Sequence, residues 1–375
     1  MSATVRRIAI DPFKPLIGEA ETGHNRWHED IAPVLEVEPG ERVVIETRDA
    51  FDAQLSPRST HADAGRLRLG PVHPLTGPVY VKGAEPGDLL EVKLLQIDCD
   101  PWERWGYTAE VPGFGFLRDV FPDPYLVHWH LVGDYAESPQ LPGIRIRYSP
   151  FPGIIGLAPS RELRETATRR EADAAARGGF ALPPDPEDAV PPRGPIAETG
   201  LRTIPPRETG GNTDIKQLTP GVSVLLPVYV PGALFSTGDV HFAQGDCEAC
   251  GTAIEMRSHV HVEFNIHHGE AARRNVRSLQ FFRDGDFTDP SMGLPRRFYA
   301  TTGLSLRDDG VNEAENLTLS ARQALLSMID YLGTRGYDRQ QAYAICSVAV
   351  DLRVSEVVDV PNFIVSALLP LDIFM

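Results

Sequence analysis

Over most of the chain, polar and apolar residues either alternate with a period of two or collect into compact apolar runs. The runs Arg42 to Glu46, Val79 to Lys82, Leu89 to Ile97, Ile144 to Arg147, Ser223 to Val230 and Ile254 to Ile266 therefore predict β-strands. Two of them follow the same opening, Glu38-Pro39-Gly40-Glu41 and Glu85-Pro86-Gly87-Asp88. Each reads as a tight turn in which proline fixes φ at one corner and glycine reverses the chain at the next. Helical spacing comes late. Ala321, Ala324, Leu325, Met328, Ile329 and Leu332 form one apolar stripe, with Ser320 as the expected N-cap and Gly333 as the stop. A second helix is expected after Asp338, carrying Tyr343, Ile345, Cys346 and Val348, and the closing run from Val360 to Phe374 returns to strand texture. The charged, Ala-rich run Arg161 to Arg177 predicts a solvent-facing helix, and a Pro-rich stretch follows it from Phe180 to Pro195. Together these predict a mainly β (α+β) fold of β-sandwich-like packed sheets with short C-terminal helices. An N-terminal β-rich region is expected over residues 1–160, a helix and Pro-rich connection over 161–200, and a central and C-terminal β region with helices over 201–375, all of which also reads as one intertwined domain.

Composition sharpens the picture at a few points. The 33 glycines and 33 prolines explain why the strands are short. A net charge of -16, from 36 basic and 52 acidic residues, argues against nucleic acid or an anionic membrane surface as partner. No apolar run is long enough to span a bilayer and the N-terminal residues do not form a signal peptide, so a cytoplasmic location is expected. Cys99, Cys247, Cys250 and Cys346 are too few for a disulfide framework. The Cys247-x-x-Cys250 pair lacks two further zinc ligands and the strand-to-helix context of a redox motif. Cys346, on an apolar helix, reads as a buried structural thiol. Nucleophile-elbow, P-loop and dinucleotide-binding glycine motifs are all absent.

The densest chemistry lies between Pro205 and Glu263. Asn212 and Asp214 follow Gly210 and Gly211; Asp239, His241, Gln244, Asp246 and Glu248 come next, punctuated by Gly238, Gly245 and Gly251. Glycine allows positive φ and close backbone approach, so such a run can bring carboxylates and an imidazole to one point. In an extended segment Asp239 and His241 share a side. The plainer alternative is a hairpin with a solvated acidic rim. His61 and His73 sit in Gly/Pro-rich loops, and His73 is kept as a site candidate because a rigid segment feeds it into a strand. His259, His261, Glu263 and Asn265 occupy one face of a predicted strand, where alternation favours a solvated face over a metal site.

Longer blocks carry a resemblance. PPRETGGNTDIKQL (Pro205 to Leu218) and LPVYVPGALFSTGDVHFAQGDCEACGTAIEM (Leu226 to Met256) resemble the acetamidase/formamidase family of amide hydrolases, especially its formamidase branch. So do HNRWH (His24 to His28), HPLTGPVYVKGAEPGD (His73 to Asp88), PGFGFLRD (Pro112 to Asp119), PFPGIIGLAP (Pro150 to Pro159) and AYAICSVAVDLRVSEVVDVPN (Ala342 to Asn362). One departure is Cys247, which stands where the family's turn is expected to have glycine. The resemblance implies a β-rich fold with two packed sheet regions, a cytoplasmic homo-oligomer of trimers or their multiples, and hydrolysis of formamide or another short aliphatic amide to carboxylate and ammonia. Such chemistry needs an activated nucleophile, an oxyanion stabiliser and an acid for the leaving nitrogen. On this reading Asp239, His241 and Glu248 hold a divalent metal, zinc among the candidates, with Asp214 as general base and Asn212 as amide donor to the substrate. Two rivals stand beside it: covalent catalysis by Cys247 or Cys250, disfavoured by the acidic neighbours Asp246 and Glu248, and a small-ligand-binding β protein without hydrolytic activity.

Overall fold

The computed structural model describes residues 5–11, 13–285, 295, 297–307 and 309–375. Two large sheets face each other across a shared apolar core. The first is six-stranded, in the order Arg6–Ile8, Arg42–Thr47, Ser258–His267, Leu89–Cys99, Val222–Pro227 and Gln280–Arg283. The second runs from Arg145–Arg147 through Tyr135–Glu137, Tyr125–Val132 and Trp105–Glu110 to Glu255–Met256, Phe235–His241, Phe151–Leu157 and Gly210–Asn212, with Leu75–Val81 branching from Phe235–His241. Val43, Ile45, Val262 and Phe264 of the first sheet share one core with Ile155, Phe235 and Val240 of the second. Phe235 and Phe264 meet edge to face at 5.1 Å across the gap. The mainly β, sandwich-like expectation therefore holds, and both sheets draw strands from the N-terminal and the central parts of the chain. A small third sheet, Phe298–Leu304, Ile364–Pro370 and Asp351–Glu356, closes the C-terminal end. No helix among the described residues is long and apolar enough to cross a membrane.

Both Pro-Gly turns form as read. The Glu41 and Asp88 amides donate to the Glu38 and Glu85 carbonyls at 3.1 and 3.0 Å, with Gly40 at φ 87° and Gly87 at φ 97°. From Ser258 to Asn265 burial alternates residue by residue, so His259, His261 and Glu263 take the outer face. There His261 meets Asp98 at 3.1 Å and Glu263 meets Arg42 at 3.1 Å, a solvated, ion-paired surface.

The continuous strand predicted from Ile254 to Ile266 is in fact two. Glu255 pairs with His241 and Tyr107 in the larger sheet, whereas Ser258 pairs with Thr47 and Cys99 in the six-stranded one. Arg257 marks the crossing, tied to Glu103 at 2.9 Å. The two-residue period survives the crossing, so nothing in the sequence announces it. The late helices are Leu317–Thr334 and Arg339–Ala349. The first starts before Ser320: Asn316 caps it by accepting from the Leu319 amide at 3.0 Å, and Ser320 is buried inside, bonded to the Phe363 carbonyl at 2.9 Å. Asp338 and Gln341 form a capping box on the second, as expected of its start. The Arg161–Ala176 helix is solvent-facing and capped by Ser160. After it, the Pro-rich stretch is pinned to the body by the buried Arg26, which donates to the carbonyls of Asp185 and Glu187 at 2.8 and 2.9 Å.

Glu110, at the end of its strand, is 3% exposed, and neither of its carboxylate oxygens has a hydrogen-bond partner. Burial, reinforced by the charge of Asp338, pushes its pKa up to about 9. A carboxyl whose folded pKa lies above its unfolded value contributes stability that is complete below the unfolded pKa and is lost as pH rises towards the folded one. Between pH 5 and 9, Glu110→Gln is thus expected to gain melting temperature relative to the native chain as pH rises. A difference that stays constant with pH in thermal melts would contradict this assignment.

Candidate active site

His241 is the hub. It ends the Phe235–His241 strand, every residue of which is buried, and its Nε2 lies 3.4 Å from Asp239 Oδ1, 3.4 Å from Glu255 Oε2 and 3.8 Å from Glu248 Oε1. Asp214 completes a second grouping with His241 and Glu248, and His73 Nε2 stands 3.8 Å from Asp239 Oδ2. The structure thus brings together Asp214, Asp239, His241 and Glu248 and adds two residues: His73, which was only a loop candidate, and Glu255, which had not been singled out. His61 lies elsewhere, stacked on Tyr125 with a ring separation of 4.6 Å. Asp246 turns away to accept from Gln217 at 3.0 Å.

Backbone strain builds this convergence. Asp214, Asp239 and Glu248 all have positive φ, at 46°, 53° and 47°, a conformation that costs ordinary residues energy and clusters at functional sites. Opposite Asp239 sits Gly153, where the ladder skips: Pro152 pairs with Val240 and Ile154 with Gly238. A Cβ on Gly153 would lie 2.6 Å from Asp214 Oδ1 and 2.8 Å from Asp239 Oδ2. Only a glycine there lets the two carboxylates close over the strand. The Glu248 turn is held from behind by the last helix. The Gly245 amide donates to the Ser347 carbonyl at 2.9 Å and the Cys250 amide to Ser347 Oγ at 3.1 Å. The buried Lys216–Asp351 pair adds a third tie, with Asp351 accepting from the Asp246 amide at 3.1 Å.

Cys247 also has positive φ, 93°, at the position where the family resemblance leads one to expect glycine. Cys247→Gly is expected to relieve about 1 kcal/mol of backbone strain and to raise the melting temperature by about 1–3 °C. A calorimetric scan showing no rise would mean that the turn is not strained there.

The electrostatics are those of charge packed without solvent. Burial, then the neighbouring Asp239 charge, pushes Asp214 up to about 8. Burial and Asp214 drive Glu248 well above the carboxylate range, and burial pushes Glu255 up to about 7. Burial opposes charge on His241 as well, but Glu255 and Asp239 overcome it and hold the imidazolium. Burial likewise works against Asp239, yet His73 and His241 keep it ionised. In spite of this crowding, both ring nitrogens of His241, Glu255 Oε2 and Asp214 Oδ1 are buried without a hydrogen-bond partner. Two tetrahedral ligands at about 2.0–2.1 Å from one ion sit roughly 3.3–3.4 Å apart. That is the spacing of His241 Nε2 from Asp239 Oδ1 and Glu255 Oε2. Orphaned donor atoms at that spacing, in a mixed nitrogen and oxygen set, fit a divalent cation. Asn212 is arranged differently from expectation: its amide nitrogen is taken by the Ile204 carbonyl at 3.0 Å, and Oδ1 is left without a partner. Cys247 and Cys250 are pushed up to about 11 and about 12, first by burial and then by Asp246 and Glu110 respectively.

This nest forms part of the wall of a cavity of about 590 Å³, which His73, Asn212, Asp214, Asp239, Glu248 and Glu255 all line. Similarity to known proteins places this two-sheet β framework and its nest in a family. The acetamidase/formamidase family model matches residues 9–375. The chain is 35% identical over 370 residues to a formamidase of Methylophilus methylotrophus, covering 94% of this chain and 89% of that protein. It is 37% identical over 366 residues to an acetamidase of Mycolicibacterium smegmatis, covering 90% and 88% respectively. The solved structure of a gamma lactamase from Delftia acidovorans superposes with a TM-score of 0.93 at 35% identity, covering 98% of this chain and 93% of that one. The chain belongs to the acetamidase/formamidase family.

Proposed function

We propose that this chain hydrolyses short aliphatic amides, formamide and acetamide among them, to carboxylate and ammonia, and that a divalent cation, zinc first, is held by Asp239, His241 and Glu255 with Glu248 beside them. The observation that carries the proposal is the unpartnered His241 imidazole ringed by the carboxylates of Asp239, Glu255 and Glu248 at 3.4–3.8 Å. The formamidase and acetamidase names of relatives at 35% and 37% identity support the reaction, which breaks a carbon–nitrogen bond other than a peptide bond. When bound, a divalent ion supplies Lewis acidity towards water and the amide carbonyl.

The chain's own groups handle the protons. In the reaction a water oxygen bonds to the carbonyl carbon, the C–N bond breaks, and a water proton ends on the nitrogen. Asp214 and Glu248 are neighbouring carboxyls, the first raised by burial and the Asp239 charge and the second, further, by burial and the Asp214 charge, so they ionise one after the other, Asp214 first. The ionised carboxylate takes the proton of the attacking water, and the protonated one delivers to the leaving amine. Asn212 Oδ1, free in the cavity wall, accepts from the substrate NH2 and orients it. The thiols are poor nucleophiles here, since both are held neutral at pH 7.

The same reading carries a cytoplasmic homo-oligomer, and exposed Phe281, Phe282, Phe298 and Tyr299 support a covered surface. Purified protein supplied with zinc should release ammonia from formamide and acetamide. A folded, metal-supplied protein inert on a panel of short amides would favour the binding-protein alternative.

A further inference from the structure

The cavity is far larger than the amides just named. It holds about 590 Å³, whereas formamide, with three non-hydrogen atoms, needs the room of two to three waters, roughly 60–90 Å³. Cavities of about 300–1,000 Å³ accommodate ligands of drug size. Away from the nest the wall is mostly apolar, with Phe51, Leu69, Val72, Val111, Phe114 and Ile204 among its residues.

Two aromatic rings there are placed with care. Phe114 lies on Gly251, at φ +94°, where a Cβ would come within 2.6 Å of the ring; the turn that bears Glu248 thus forgoes a side chain to seat it. Phe180 meets Phe114 edge to face at 6.4 Å and carries the Arg118 guanidinium 5.9 Å from its centroid. Phe180 is 60% exposed. An aromatic side chain held at a cavity wall yet left in water gains most when an apolar ligand covers it.

We infer that the preferred substrate is a primary amide bearing an aromatic ring one or two carbons from the carbonyl, its ring packed against Phe114 and Phe180 and its amide over the nest. This rests on the hydrolase reading above. Phenylacetamide against acetamide is the matched test, because the phenyl group sits on the carbon that is acetamide's methyl and leaves the carbonyl chemistry nearly unchanged. Burying a ring of that size is expected to raise kcat/KM about tenfold or more, chiefly through KM. Phe180→Ala, an exposed position with little effect on folding, is expected to reduce the phenylacetamide-to-acetamide ratio about fivefold or more. Equal kcat/KM for the two amides, or a ratio that Phe180→Ala leaves unchanged, would overturn the inference. Turnover of neither amide would remove the hydrolase reading instead. Calorimetric titration with the same two amides then decides the cavity, where equal or undetectable binding of both overturns the inference.

Discussion

Alanine at position 241 is expected to lower amide turnover by a thousandfold or more and to remove the bound divalent ion, while Cys247→Ala combined with Cys250→Ala keeps most of the activity. His241 is wholly buried and lies within 4 Å of Asp239, Glu248 and Glu255 together. Losing it removes the nitrogen donor and leaves carboxylates facing one another with no cation between them. Lewis-acid stabilisation amounts to several kcal/mol, and about 1.4 kcal/mol corresponds to each factor of ten. The double cysteine change removes two thiols that both stay protonated, the buried Cys250 and the exposed Cys247 among its acidic neighbours. Ammonia release and elemental analysis on both variants, each shown folded by circular dichroism, check the pair of expectations. A thiol-dependent enzyme that tolerates His241→Ala would reverse the assignment.

Gly153→Ala is the second large effect. The added methyl would lie 2.6 Å from Asp214 Oδ1 and 2.8 Å from both the Asp239 carbonyl and its Oδ2, closer than real Cβ contacts. Its neighbours are strand backbone and two carboxylates already at strained φ, so the site must open by several tenths of an ångström. Misplacing reacting groups by about 1 Å costs on the order of a hundredfold. We expect kcat to fall about 30- to 100-fold with the fold retained, as steady-state ammonia release and a thermal melt would show. A variant with native kcat would mean that the Asp214–Asp239 approach does not matter for catalysis.

The paired glycines, the Asp-x-His spacing and the glycine-cut acidic turn mark the segments that converge on His241 because they are local features of the chain. Even there the route differed. Asp239 and His241 were expected to share a side of a plain extended strand; they meet although Asp239 is left-handed and the ladder skips at Gly153. Glu255 was invisible because its place is set by pairing across from His241, and its strand looked continuous with the next through the sheet crossing at Arg257. His73 gave no local sign beyond a rigid loop, since its partner Asp239 is 166 residues away in sequence. The Lys216–Asp351 tie behind the acidic turn is equally long-range. Alternation and turn chemistry, by contrast, read out the Arg42–Thr47, Leu89–Cys99 and Val222–Pro227 strands and the capped Arg339–Ala349 helix, because those depend on neighbours within a few residues.

The central claim is that amide hydrolysis at the His241 nest depends on a divalent ion held by the chain's own carboxylates and imidazole. Protein stripped with a chelator, dialysed and assayed for ammonia release from acetamide tests it most directly. The stripped protein is expected to be inactive and to recover on adding about one equivalent of zinc or a similar divalent ion, with no recovery in His241→Ala. Full activity in stripped protein, with no divalent metal detected by elemental analysis, would contradict it.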